Sequence, residues 1–134
     1  MKNIDVGSTA KYGFGNDAVV IRNYIAGIIG GVVLDTDGFK GGAVRCGHII
    51  ICDAKEEHFK PLNVTAAGKY ESLPSSYKYA GVATTSKDLD DVHIGCMYAG
   101  EVNDVASPYP VTDEMKTAIK AELPQLVFKH DKVK

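Results

Sequence analysis

AVRCGHIIICD, residues 43–53, is the most strand-like stretch of the chain. Its centre is three consecutive isoleucines, and β-branched side chains with stiff χ1 angles pack well on a pleated surface. Further strand candidates follow at short intervals. Phe59–Thr65 (FKPLNVT) carries Pro61, which lacks an N–H and so belongs at a sheet edge or strand start. Tyr77–Thr85 (YKYAGVATT) is next, then Val92–Val102 (VHIGCMYAGEV), interrupted by Gly95 and Gly100. Leu126–Phe128 closes the series. Between them lie a loop at 66–76 (AAGKYESLPSS), a polar turn at 86–91 (SKDLDD) and a proline loop at 103–110 (NDVASPYP).

Upstream of residue 43, AVVIRNYI (18–25) and IIGGVVL (28–34) read as two β-rich stretches hinged by Gly27, Gly30 and Gly31. Glycines at that density favour bends and bulges over a helix. Asp35-Thr36-Asp37-Gly38 reads as a turn, because Phe39 and Lys40 stand where a calcium loop needs oxygen ligands. One helix is predicted, over about residues 112–123. Thr112 is its N-cap, Asp113 and Glu114 place negative charge in the first turn, and Pro124 stops it. Met115, Ala118, Ile119 and Leu123 share its apolar face. The expectation is a mainly β fold of short strands with one late α-helix. Residues 1–16 are set apart as an extended N-terminal arm, and residues 17–134 form a single domain.

Composition narrows the function classes. Of 134 residues, 45% are hydrophobic and 24% charged, which argues against disorder, collagen and coiled coil. A net charge of -2 offers no electrostatic grip on nucleic acid or anionic lipid, so neither is an expected partner. Three cysteines are too few and too odd in number for a disulfide framework, which fits a reducing compartment or indifference to redox. Asp5, Lys11 and Asp17 interrupt the apolar stretch that a secretory signal needs. The most apolar run, Ile25–Leu34, is ten residues long, whereas a membrane span takes about 20. That run nonetheless offers more apolar surface than one small domain hides, so part of it is expected to face another subunit.

Chemistry-bearing motifs are sparse. Gly68-Lys69-Tyr70 lacks the spacing of a phosphate loop, Gly27, Gly30 and Gly31 lack that of a dinucleotide fingerprint, and no GxSxG occurs. Cys46, His48 and Cys52 fall on one face of a continuous strand, and Cys96 or His93 would complete a tetrahedral zinc set. Cys46 and Cys52 are six residues apart, about 20 Å of extended chain, so buried core thiols are the favoured reading. His58 beside Glu56 and Glu57 reads as a charged turn, and Asp88, Asp90 and Asp91 as a solvated one. Asn63-Val64-Thr65 matches a glycosylation sequon without a secretory context. Lys129, Lys132 and Lys134 make a basic tail that Asp131 dilutes. Tyr70, Tyr77, Tyr79, Tyr98 and Tyr109 offer a possible sugar-stacking platform. No catalytic residue, cofactor or metal is expected.

The order of features over residues 40–130 resembles that of the head-decoration proteins of tailed bacteriophages, the lambda decoration protein family. The resembling stretches are Gly42–Ile51, Phe59-Lys60-Pro61-Leu62, Tyr79-Ala80-Gly81-Val82-Ala83 and Ile94–Asn103. They continue through Ser107-Pro108-Tyr109-Pro110, the helix from Thr112 and Leu126-Val127-Phe128. The signal lies in their order and covers about two-thirds of the chain. The resemblance implies a β-clip-like fold and a homotrimer on the exterior of the virion capsid. It also implies synthesis in the host bacterial cytoplasm and an N-terminal arm that orders against the major capsid protein. In this chain that arm comprises Lys2, Asn3, Ile4, Asp5, Val6, Tyr12 and Phe14. The chain departs from the pattern in its β-rich residues 17–38 and its long loop at 66–76. A head-fibre or receptor- or glycan-binding module of a phage virion is the alternative.

Overall fold

A strand made only of apolar residues needs cover on both faces, and that requirement organises the fold. The computed structural model describes residues 17–90 and 92–130. In chain order they form a single helical turn α1 (Asp17–Val20), then strands β1 (Ile21–Gly27), β2 (Val32–Val33), β3 (Ala43–Val44), β4 (Ile49–Asp53) and β5 (Phe59–Pro61). Strands β6 (Tyr77–Ala83), β7 (Lys87–Asp88), β8 (His93–Ile94) and β9 (Cys96–Val102) follow, then helix α2 (Asp113–Glu122) and strand β10 (Leu126–Phe128). The chain is mainly β, with one helix of more than a turn late in the sequence. The predicted arm, residues 1–16, lies outside the described residues.

The main sheet has the order β1-β9-β6-β4-β5, and β10 joins β9 in parallel beside Gly100, Glu101 and Val102. The other named pairings are antiparallel, including the two small sheets β2-β8 and β3-β7. Alternation along β4 sorts the interior into two layers. Ile49 and Ile51 pack with Tyr79, Val82, Met97, Ile119 of α2 and Leu126 of β10. Ile50 and Cys52 pack with Ala80 and Cys96 against Val32, Val44 and Ile94 of the small sheets. Each isoleucine of β4 buried in this way contributes about 1.5–3 kcal/mol.

The two layers stay in step because β6 contains a bulge. Ile50 pairs with Gly81 but Ile51 pairs with Tyr79, leaving Ala80 as the extra residue. A side chain at Gly81 would collide with the carbonyl oxygen of Met97, so this close approach of β6 to β9 requires glycine.

Several expectations change in detail. Residues 43–53 are two strands, because a turn closed by the His48 N–H on the Arg45 carbonyl (2.9 Å), with Gly47 at φ +89°, breaks the run. That turn removes Cys46 from the face of Cys52, the two belonging to opposite layers. Residues 17–20 are helical, and β1 begins at Ile21. Within the polar turn at 86–91, Lys87 and Asp88 pair with Val44 and Ala43 as a short strand. Strand β5 stops at Pro61 and lies at the sheet edge, as a residue without an N–H demands. Helix α2 starts as predicted: the Thr112 hydroxyl accepts the Met115 N–H at 3.2 Å, and Ile119 is its buried contact with the sheet.

Candidate interaction surface

Strand β1 lies at one end of the main sheet, and among the described residues no strand pairs with its outer side. Its pairing with β9 is irregular, with a register shift between Tyr24 and Ala26 that leaves Ile25 as the extra residue and further shifts to either side of it. Tyr24 and Ile25 are 56% and 61% exposed. Beyond β1 the chain turns at Ile28–Gly31, closed by the Gly31 N–H on the Ile28 carbonyl at 3.0 Å. Gly30 takes φ +79° at the third position, as a type II turn requires, which puts Ile29 at the tip.

Ile29 is 99% exposed, and its turn is held in place. The Ile28 N–H bonds the Cys96 carbonyl at 2.9 Å, and His93 Nε2 donates to the Gly30 carbonyl at 2.7 Å. Val19 and Val33 are exposed as well. Five of the eight exposed large hydrophobic residues among those described fall within residues 19–33. An isoleucine fixed in water on a pinned turn offers about 1.5–3 kcal/mol to a partner that covers it. Because the turn is already ordered, little conformational entropy opposes that gain.

The sequence-predicted metal set is not brought together. Cys46 and Cys96 lie in opposite layers, and the Cys46 thiol donates to the Thr84 carbonyl at 3.2 Å. All three cysteines are buried, and burial pushes the Cys96 thiol up to about 12. His48 is fully buried, its Nε2 donating to the Leu62 carbonyl at 2.8 Å. The rings of Phe39, Tyr70 and Tyr109 stand edge-on to it, with centroids 5.3, 5.2 and 5.6 Å away. Its Nδ1 has no hydrogen-bond partner among the described residues. Burial in this aromatic box lowers its pKa from 6.5 to about 4, against the opposing pull of the Leu62 bond.

The same box dismantles the tyrosine platform. Tyr70 packs against His48 and Tyr109, and its hydroxyl accepts the Ile49 N–H at 3.2 Å. Desolvation raises its pKa. Tyr79 is buried in the core, and Tyr77 is half-buried in a hydrogen-bond chain, which leaves Tyr98 as the exposed member of the five. Tyr70 and Tyr79 serve the interior, where flat rings fill gaps that small β layers leave, and the Tyr70 hydroxyl reaches a backbone partner.

Two polar clusters were not legible from sequence. His58, read as part of a charged turn, donates from Nε2 to Asp35 (2.8 Å) and accepts the Tyr77 hydroxyl at Nδ1 (2.7 Å). The Asp35 carboxyl is held below its usual range by the Asp37 N–H and then by His58. Lys60 caps the assembly, its ammonium 4.4 Å from the Tyr77 ring centre. The chain of contacts clamps the 35–38 turn and the β4–β5 connection onto β6. Asp104 is the second hub, accepting from Lys116 of α2 at 2.6 Å and from His130 at 2.8 Å. Burial alone would raise its pKa, but those two donors together outweigh it and lower the value. Asp88, read as part of a solvated turn, is half-buried in β7 opposite Ala43 and caps the Asp90 N–H at 3.0 Å.

Lys2, Asn3, Ile4, Asp5, Val6, Tyr12 and Phe14, the predicted arm contacts, lie outside the described residues. Among those described, no helix is long and apolar enough to cross a membrane. Compared with family models, with curated proteins and with solved structures, the chain has no match.

Proposed function

We propose that the chain is a structural protein of a phage virion that decorates the outer surface of the head and stabilises it. The observation that carries this reading is Ile29, fully exposed on a pinned turn beside an open-edged strand that also exposes Tyr24 and Ile25. A cement protein works by binding energy: whatever binds the assembled shell and not its separate parts shifts the equilibrium toward the shell. Its requirements are a stiff β core, apolar surface and a free sheet edge for strand addition. In this reading residues 19–33 meet other copies in a homotrimer, and residues 1–16 meet the major capsid protein.

Two measurements test it. Sedimentation velocity of the full chain at micromolar concentration is expected to give a trimer, and a clean monomer overturns the self-association. Incubation with undecorated capsids is expected to give saturable binding, which deletion of residues 1–16 weakens while the far-ultraviolet circular dichroism stays the same. Full occupancy after that deletion rules out the arm as the capsid contact, and no occupancy by the intact chain rules out decoration.

A further inference from the structure

A second surface begins at the flank of the exposed turn, where Ile28 and Gly31 line it, and its charge says what fits it. Three depressions share lining residues and run together into one trough that passes from the sheet to the end of α2. The middle one, about 330 Å³, is floored by Cys52, Phe59 and Ala80. Through Ile28, Glu56 and Phe59 it opens into a depression of about 450 Å³ walled by Val32 and Val33, with Glu57 on its rim. Through Tyr98, Glu122 and Leu123 it opens the other way into one of about 340 Å³ that ends on Pro124 and Gln125.

Each depression alone is near the small end for a ligand pocket. In series they suit a chain that sets one side chain in each. The charges lining the trough are unbalanced. Glu56, Glu57 and Glu122 carry three carboxylates, and Lys78 supplies the one ammonium, 3.3 Å from Glu56. Glu122 is held in position by the Tyr79 N–H, which its Oε2 accepts at 2.7 Å. An apolar floor keeps out a purely polar ligand, and an excess of two negative charges repels an acidic one.

We infer that this trough is a docking site for an extended peptide segment of a partner protein in which apolar side chains alternate with lysine or arginine. The apolar side chains enter the three depressions, and the cationic ones reach the rim carboxylates. The alternation follows from the strand period of two: one set of side chains enters the trough, and the other starts on the opposite side and bends its long cationic stems back over the rim. The inference stands on the trough alone and does not require that the chain decorate a capsid.

The test uses the full chain and three fluorescently labelled decapeptides: one alternating leucine and lysine, one with glutamate for lysine, and one with serine for leucine. Anisotropy titration at about 50 mM salt is expected to give saturable binding of the first peptide, weakened at least about threefold near 0.5 M salt. The other two are expected to bind at least about tenfold more weakly, since each loses one of the two complementary features. The double variant Glu56→Gln/Glu57→Gln and, separately, Tyr98→Ala are each expected to weaken the first peptide by about threefold or more. Ile25→Ser, outside the trough, is expected to leave it unchanged, and circular dichroism checks that all variants are folded. Equal binding of the glutamate or serine peptide, absence of saturable binding, or undiminished binding by the trough variants overturns the inference.

Discussion

Ile49, Ile50 and Ile51 of β4 are at most 1% exposed, whereas Tyr24 and Ile25 of β1 are more than half exposed. Both strands carry β-forming apolar residues, Ile49, Ile50 and Ile51 in β4 and Ile21, Tyr24 and Ile25 in β1. β4 has β6 on one side, β5 on the other, and a packed layer on each face. β1 has β9 on one side, and its register slips at Ile25. The difference lies in position within the sheet and in regularity of pairing. The apolar residues of β4 are consumed by the chain's own fold, and so is Ile21 of β1, while Tyr24 and Ile25 stay exposed. Long edge strands with exposed apolar residues are a known aggregation hazard.

The largest expected effect comes from the buried side of this contrast. Ile50→Ala removes packing against both β6 and the small sheets, and is expected to destabilise the fold by about 2–5 kcal/mol. Ile25→Ala should change stability by less than about 0.5 kcal/mol. Urea unfolding of the two variants side by side measures both. Similar losses in the two would mean that β1 is packed like β4 and would end the distinction.

His48 sharpens the same comparison through pH. Its folded pKa of about 4 lies below the ordinary 6.5, so the unfolded chain binds the proton more readily. The stability this group contributes is complete above pH 6.5 and is lost as pH falls from there toward 4. The loss amounts to roughly 3 kcal/mol at the acid end. Asp35, Asp53 and Asp104, with lowered values, act below the ordinary carboxylate range of 3.8 and leave that window largely clear. Urea midpoints at pH 7 and about pH 4.5 should fall less in His48→Gln, which keeps a donor for the Leu62 carbonyl, than in the natural chain. An equal fall in both would move the acid sensitivity outside the aromatic box.

A smaller effect belongs to the helix over the Ile49 and Ile51 layer. Thr112→Ala removes the hydroxyl that accepts the Met115 N–H, at a cost of about 1 kcal/mol. Because α2 covers the layer containing Ile49 and Ile51, the loss should appear as a lower urea midpoint, with unchanged behaviour at Ile29. A cap substitution that alters self-association would couple two surfaces that are separate in the fold.

What could be read in advance divides along the range of the interactions involved. The helix was legible because its cap, charges and stop lie within a dozen residues. Pro61 at a sheet edge was legible because a missing N–H is a local fact. The turn at Arg45–His48 was harder, since one glycine within an apolar run is compatible with a continuous strand. The small strand Lys87–Asp88 was invisible, because its pairing with Ala43 and Val44 is decided by a partner more than forty residues away. The same holds for His58, whose Asp35 and Tyr77 partners stand 23 and 19 residues off. The apolar excess at Ile25–Leu34 was visible as composition. Which of its residues would be covered depended on pairing: Val32 and Leu34 went into the core, while Ile25, Ile29 and Val33 stayed outside.

The smallest expected change in stability is also the one that tests the exposed side of the contrast most directly. Ile29 is 99% exposed at the tip of a turn whose geometry depends on Gly30, His93 and the Ile28 N–H, and on nothing in its own side chain. Ile29→Ser should therefore leave the urea midpoint within about 0.5 kcal/mol of the natural chain at concentrations where the protein is monomeric. At higher concentration the two should diverge. If Ile29 sits in a contact between copies, the variant loses most of about 1.5–3 kcal/mol per copy, and the association midpoint moves up by roughly tenfold or more. Sedimentation velocity across a concentration series reads that shift. A stability loss above about 1 kcal/mol in the monomer would mean that Ile29 is covered by the chain itself, and β1 with its turn would then rejoin β4 as core.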